Sequence, residues 1–271
     1  MKSKIVEAIG LPTHAVALIW SDAAPADAIS LKPGRWACLM SLFAATAAKG
    51  RVCSINRETY GCWGGGTGMG FGNCYEKFPG GVQCFYRFLS DGNEKSEHGR
   101  EVAKQVAAWG DHHWTDEFLK GERYLKDSDA VERFLMASPM REIPAKCVVL
   151  KPLEMVDERD DVKNITFFVD PDRLSALVVL AKYTEPDEDN VIMSWAAGCQ
   201  SVGIFAYEEL WRESPRTVVG LTDLSARATV RPLLGKDVMS FTAPWPRFLQ
   251  MEENVDDSFL QRPTWHGLRE H

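Results

Sequence analysis

The spacing of apolar and polar residues predicts that strands and helices alternate along the chain. Residues 15–20 (AVALIW) form a short apolar run that is typical of a buried strand. Residues 36–49 are rich in good helix formers and apolar on nearly all sides, and Gly50 follows them. This combination predicts a buried helix with a glycine cap. Residues 51–56 predict a second short strand.

The same alternation continues through the second half of the chain. Asp170 and Pro171 mark the start of a helix over 171–183, because aspartate caps a helix and proline suits its first turn. Periodicity and β-branched content predict further helices at 96–110, 127–137 and 205–213, and strands at 146–151, 164–169, 190–195, 216–220 and 238–242. The polar tail after Asn254 is expected to lie over the surface.

This order of elements predicts an α/β or α+β fold in which helices flank a mixed β-sheet. The chain has no low-complexity linker and no internal repeat. We therefore expect a single domain over residues 1–271, ending in the polar tail at 254–271.

Composition narrows the classes of partner. The 271 residues carry 31 Lys and Arg against 38 Asp and Glu, a net charge of −7, which argues against a nucleic-acid partner. The sequence has no run of 18 apolar residues and no secretory signal pattern, so we expect neither a membrane span nor export. A reducing cytoplasm is the expected compartment. The oligomeric state is left open.

Cysteine is the residue type with the most informative distribution. Five of the 7 cysteines, at positions 38, 53, 62, 74 and 84, fall within 47 residues. In a reducing compartment such cysteines serve as metal ligands, catalytic thiols or small buried side chains. The sequence contains no C-x-x-C pair, so zinc-ribbon and ferredoxin motifs are absent. A metal site would have to combine cysteines from separate segments.

Glycine is concentrated beside these cysteines. Nine glycines lie between Gly61 and Gly81, and Tyr60–Cys74 reads YGCWGGGTGMGFGNC. We expect a glycine-rich, cysteine-containing loop that either packs closely on an iron–sulfur cluster or cradles an anion such as a phosphate. The segment lacks the context of a dinucleotide fingerprint and the G-K-[ST] ending of a P-loop.

Several segments together resemble the family catalogued as domain of unknown function 169. They are RWACLMSLFAATAAKG, YGCWGGGTGMGF, NITFFVDPDRLSALVVLAKY, WAAGCQSV and DLSARATVRPLL, and the resemblance covers roughly residues 14–250. It implies that Cys38, Cys62 and Cys199 occupy the cysteine positions of the family. The family has no assigned activity, so the resemblance implies a site but no reaction.

The chain departs from the family pattern at one position. Some members have a further cysteine just before the closing arginine segment, where this chain reads VVGLTDLSAR. A fourth thiolate would therefore come from elsewhere, and Cys74, with Cys53 and Cys84 in reserve, is the candidate.

These observations predict a cytoplasmic protein that binds an iron–sulfur cluster, expected to be of the 4Fe–4S type. The predicted ligands are Cys38, Cys62, Cys199 and Cys74, and the predicted cofactor-binding residues are Arg35, Trp63, Gly64 and Gly65. An open iron would bind a small molecule, whereas a fully ligated cluster would exchange electrons with a redox partner protein.

Two alternatives remain open from the sequence. One is a metal-free protein that binds a small anion or nucleotide through the glycine-rich segment. The other is a thiol enzyme in which Cys62 is the nucleophile.

Overall fold

The computed structural model describes residues 1–108, 112–185 and 187–269. Contacts within the chain define two compact units. Residues 1–71 and 142–271 form a sheet-containing unit, and residues 72–141 form a helical unit. The two units are defined only by contacts within the chain, so the single domain expected from the sequence stays a prediction.

The described residues form a sheet of seven strands that is not closed. The strands are β1 Val16–Ser21, β2 Cys53–Asn56, β3 Cys147–Pro152, β4 Asp161–Val169, β5 Val191–Met193, β6 Thr217–Gly220 and β7 Met239–Pro244. Their spatial order is β2-β3-β1-β4-β7-β6-β5, and only β5 and β6 pair in parallel. The sheet is therefore mixed, and the predicted α/β class is confirmed.

Helices connect these strands and make up the helical unit. They are α1 Lys4–Ala8, α2 Met40–Lys49, α3 Trp63–Gly68, α4 Val82–Leu89, α5 Glu97–Ala107, α6 His112–Lys120, α7 Ser128–Ala137, α8 Pro171–Lys182, α9 Gly198–Val202, α10 Ile204–Glu209, α11 Leu224–Leu234, α12 Trp245–Asn254 and α13 Pro263–Arg269. The predicted end of α5 at residue 110 lies outside the described residues. None of the helices in the part of the chain that the structure describes is long and apolar enough to cross a membrane.

One face of the sheet carries the main apolar core. Strand side chains such as Phe167 and Phe241 pack there against Leu177 of α8, Phe248 of α12 and Trp265 of α13. Burial of large aromatic and aliphatic groups of this kind is the main source of stability in a domain of this size. The apolar packing on this face therefore stabilises the sheet and the helices that cover it.

The opposite face of the sheet is more polar. Thr166 and Thr242 are fully buried and share a hydrogen bond of 3.0 Å across β4 and β7. Buried Asn164 donates to the carbonyl of Val202, at the end of α9. Helices α9 and α10 pack over β6 and β7 on this side. The candidate site described below lies at the starts of helices in this layer.

The helical unit has its own aromatic core. Phe78 packs against the rings of Phe85, Phe88, Trp114 and Phe118. These residues come from α4, α6 and the segment before α4.

Two expectations need correction. The C-terminal tail does not lie over the surface, because Val255, Leu260 and Trp265 are buried in the main core. The polar residues that suggested a tail occupy the outer side of α13 and the turn before it. The glycine-rich segment is not a continuous loop either, since Trp63–Gly68 is helical.

Candidate functional site

Three cysteines of the sheet-containing unit lie at the starts of three helices. Cys38 precedes α2 by two residues, Cys62 is the N-cap of α3, and Cys199 is the second residue of α9. The first N–H groups of a helix have no partner within the helix, so they are available to a sulfur placed there.

Backbone N–H groups donate to the sulfurs of two of these cysteines. The Cys62 sulfur accepts a hydrogen bond from the N–H of Gly65 at 3.3 Å and another from the N–H of Leu39. The N–H of Met40 donates to the Cys38 sulfur, and it lowers the pKa of Cys38 together with the nearby side chain of Thr229, against the larger effect of burial. Because Leu39 directly follows Cys38, its hydrogen bond places the Cys62 sulfur against the Cys38 segment.

Glycines allow the Cys62 segment to approach the Cys38 segment. A Cβ atom on Gly61 would overlap the carbonyl oxygen of Ala37, and Gly61 has a φ of +73° that favours glycine. A Cβ on Gly65 would lie 3.2 Å from Cβ of Leu39 and 3.4 Å from the Cys62 sulfur. The backbones at residues 61–65 and 37–39 are therefore in direct contact.

Glycines also bring Cys199 to the same place. A Cβ on Gly68 would lie 2.5 Å from the carbonyl carbon of Cys199 and 2.7 Å from its Cβ. On the other side of α9, a Cβ on Gly198 would lie 3.1 Å from Met40 and 2.8 Å from Ala226 of α11. The starts of α2, α9 and α11 thus meet around Gly198, and the C-terminal end of α3 packs on Cys199.

The thiols of the site are protonated in the absence of a ligand. Burial, assisted by the nearby charge of Cys38, raises the pKa of Cys62 to about 12 against the effect of the two backbone hydrogen bonds. Burial likewise raises the pKa of Cys199 well above its ordinary value, assisted by the charges of Cys62, Cys38 and Asp223. Burial also raises the pKa of Cys38. The three sulfurs are close enough to affect one another.

Sequence reasoning missed a fourth group, Asp223. Its carboxylate caps α11 by accepting from the N–H groups of Ser225 and Ala226, and its second oxygen accepts from the N–H of Gly198 at 3.2 Å. An aspartate followed by helix formers is a start signal. Pro232, which lies inside α11, obscures this signal because proline is disfavoured in the interior of a helix.

Gln200 was also missed. Its side-chain oxygen accepts from the N–H of Ala197, which fixes the orientation of the amide because a backbone N–H can only donate. The residue is fully buried, and its Nε2 atom has no hydrogen-bond partner among the described residues. A buried amide without an acceptor costs about 1–3 kcal/mol. This donor lies at the end of α9 that carries Cys199.

The other predicted residues are less central. Trp63 and Gly64 are partly buried in the first turn of α3, and Arg35 is exposed in a turn. Cys74 belongs to the helical unit, where it is buried and begins a 3₁₀-helix. Its assignment as a ligand stays a prediction.

A site for a single metal ion is not preformed. No group of three or more His, Cys, Asp or Glu side chains in residues 1–108, 112–185 and 187–269 has the geometry to hold one ion. The ligands of a cluster are spaced more widely than those of one ion, because each thiolate binds a different iron.

The pKa of Cys62 leads to a direct prediction. In metal-free protein, alkylation of Cys62 by iodoacetamide at pH 8 is expected to be much slower than that of free glutathione, because the thiolate is the reactive form. The rate should still be rising at pH 9–10, where an ordinary thiol is already mostly ionised, because burial raises the pKa of Cys62. Peptide mapping by mass spectrometry measures this, and rapid labelling at pH 7 would contradict it.

Comparison with known proteins assigns a family without adding an activity. No curated protein and no solved structure matches the chain significantly. One family profile, described as "Uncharacterised ArCR", matches residues 4–254, which is most of the chain. This match is slightly longer than the resemblance described from the sequence, which covers roughly residues 14–250. The chain is therefore a member of the Uncharacterised ArCR family, domain of unknown function 169.

Proposed function

We propose that this protein binds an iron–sulfur cluster through Cys38, Cys62 and Cys199, with a 4Fe–4S cluster as the expected type. The observation that carries the proposal is the meeting of three cysteine segments at helix starts, with backbone N–H groups donating to the sulfurs of two of them. Iron–sulfur clusters are held by cysteine thiolates, and hydrogen bonds to their sulfurs tune them.

The donor set fits this cofactor. Thiolates are soft ligands that favour iron–sulfur clusters, zinc and Cu(I), so three cysteines form a donor set that an iron–sulfur cluster accepts. Binding to iron would also replace the protons that burial keeps on these thiols.

Two further features support a ligand at this place. The Nε2 group of Gln200 lacks an acceptor among the described residues, and a cluster sulfide or cysteinyl sulfur would supply one. Asp223 also lies beside these neutral thiols, and no Lys, Arg or His side chain of the described residues forms an ion pair with it. A bound iron would supply a positive charge next to the Asp223 carboxylate.

The bound cluster would supply either electron transfer or a Lewis-acidic iron that binds a small molecule. The residues of this chain have defined tasks in both cases. Cys38, Cys62 and Cys199 hold the cluster, and the N–H groups of Leu39 and Gly65 donate to the Cys62 sulfur. The expected partner is a small molecule or a redox protein, and the expected compartment is the reducing cytoplasm.

The two alternatives receive less support. The space that an anion would need at Gly65 and Gly68 is filled by Leu39, Tyr60 and Cys199. A nucleophilic cysteine needs a lowered pKa, whereas burial raises that of Cys62. An iron–sulfur cluster is therefore the ligand that these residues support best.

Anaerobic purification tests the proposal. The protein is expected to be brown and to contain iron and acid-labile sulfide in equal amounts, about four of each per chain. Iron and sulfide assays with a visible absorption spectrum measure this, before and after anaerobic reconstitution. A colourless protein without iron after reconstitution would overturn the proposal.

A further inference from the structure

We propose that Asp223 is the fourth ligand of the cluster and binds one iron through a carboxylate oxygen. This inference rests on the proposed function, since it concerns the iron that Cys38, Cys62 and Cys199 leave without a thiolate. It assigns the site three sulfur ligands and one oxygen ligand.

The position of Asp223 supports this assignment. Its Oδ2 atom is held 3.2 Å from the N–H of Gly198, the residue before Cys199. Ala226, on the helix α11 that Asp223 caps, and Met40, two residues after Cys38, both pack against Gly198. The aspartate is thus placed by the same elements that place two of the three cysteines.

The charge of Asp223 reaches all three thiols. Burial is the main cause of the raised pKa of Cys38, of Cys62 and of Cys199, and the nearby charge of Asp223 adds a smaller effect at each one. The other charges that raise the pKa of Cys199 are those of Cys62 and Cys38 themselves.

The carboxylate keeps a lone pair for a metal. Oδ1 accepts three hydrogen bonds, from the N–H groups of Ser225 and Ala226 and from the Ser225 hydroxyl. Oδ2 accepts a single one, from Gly198. A carboxylate oxygen can accept a hydrogen bond and bind a metal at the same time, so the Gly198 N–H would orient Oδ2 toward the iron.

Gln200, the residue after Cys199, adds a buried polar group to this end of α9. Its buried Nε2 group lies at the same end of α9 as Gly198 and Cys199, and it lacks an acceptor among the described residues. The capping role of Asp223 accounts for the hydrogen bonds of its carboxylate, but it leaves the Gln200 amide unexplained.

An oxygen ligand predicts how the cluster reacts with an oxidant. A carboxylate holds iron less firmly than a thiolate does in such clusters, because iron in them prefers soft ligands. Asp223 is also partly exposed, so water and solutes have access to this corner. Ferricyanide would take one electron from the cluster, which would then release the Asp223-bound iron as Fe²⁺.

The test compares Asp223→Asn and Asp223→Cys with the wild-type protein after anaerobic reconstitution. Asparagine retains the helix cap but removes the anionic ligand, so the cluster should lose one iron without oxidant and hold about three irons per four sulfides. Cysteine supplies a thiolate, so all irons should withstand an amount of ferricyanide that removes one from the wild type. Asp172→Cys, at the exposed start of α8, is the matched control and should behave as the wild type.

The outcomes separate the two proposals. If the wild type holds a cluster and both Asp223 variants match it in iron content and in ferricyanide sensitivity, the assignment of Asp223 is overturned and the cluster remains. If the wild type holds no cluster, the proposed function itself fails. Protection by Asp223→Cys shows that position 223 reaches this iron, and failure of Asp223→Cys to protect it overturns the assignment even where Asp223→Asn folds poorly.

Discussion

Replacing Cys199 by serine is expected to abolish the bound cluster, with iron falling from about four per chain to nearly none. A serine hydroxyl stays protonated at neutral pH and is a poor ligand for iron. Cys199 is 3% exposed and packs on Gly68, so the substitution changes a buried and closely packed position of the site.

The matched control is Cys147→Ser. Cys147 is 4% exposed in strand β3 of the same unit, and its thiol donates to the carbonyl of Ser21 at 3.2 Å. The same chemical change there should preserve the iron content, because that thiol is not part of the site. Circular dichroism and urea unfolding of the metal-free variants establish that each one folds.

The two variants distinguish a specific ligand from a general effect. If Cys199→Ser folded and retained iron, sulfide and colour, the three-thiolate site would be wrong. If both variants lost iron to the same extent, the loss would reflect a disturbed core and would not support Cys199 as a ligand.

Much of the sheet-containing unit is predictable because its signals are local. Asp170 and Pro171 start α8, and Gly50 ends α2 with a φ of +62°, as their sequence contexts predict. Strand β1 follows the uninterrupted apolar run at 15–20. In each case, neighbours in sequence determine the conformation.

The candidate site is less predictable because distant segments determine it. The glycines after Cys62 indicate close packing, but the sequence does not reveal that Gly68 faces Cys199 or that Gly61 faces Ala37. Asp223 carries an ordinary helix-cap signal, and its proximity to the three thiols follows only from how α11 packs on α2 and α9.

The buried tail shows the same limit. Residues 254–271 contain many charges, so their average composition is that of a surface segment. Three apolar side chains, those of Val255, Leu260 and Trp265, nevertheless reach the core. They are five residues apart, which differs from the spacing of three or four along one face of a helix, and a 3₁₀-helix separates α12 from α13.

The second large effect is expected at Gly68, where the substitution to alanine should destabilise the metal-free protein by at least about 2 kcal/mol. On helix propensity alone, alanine would stabilise α3 by about 1 kcal/mol. The structure reverses the sign, because the added Cβ would lie 2.5 Å from the carbonyl carbon of Cys199 and would force one of the two backbones to shift. Gly203 also packs closely on Gly68, since a Cβ atom added to Gly203 would overlap the carbonyl oxygen of Gly68.

Gly267→Ala is the control for this prediction. Gly267 lies in α13, and a Cβ atom added there would have no described atom within 4 Å, so alanine should stabilise the protein by up to about 1 kcal/mol. Urea unfolding of metal-free protein gives both free energies, and iron assay after reconstitution shows whether the site still assembles. Because Gly68 packs on Cys199 itself, Gly68→Ala should lower stability and iron content together. A Gly68→Ala protein as stable as the wild type, with full iron, would mean that close packing of α3 on α9 does not build the site.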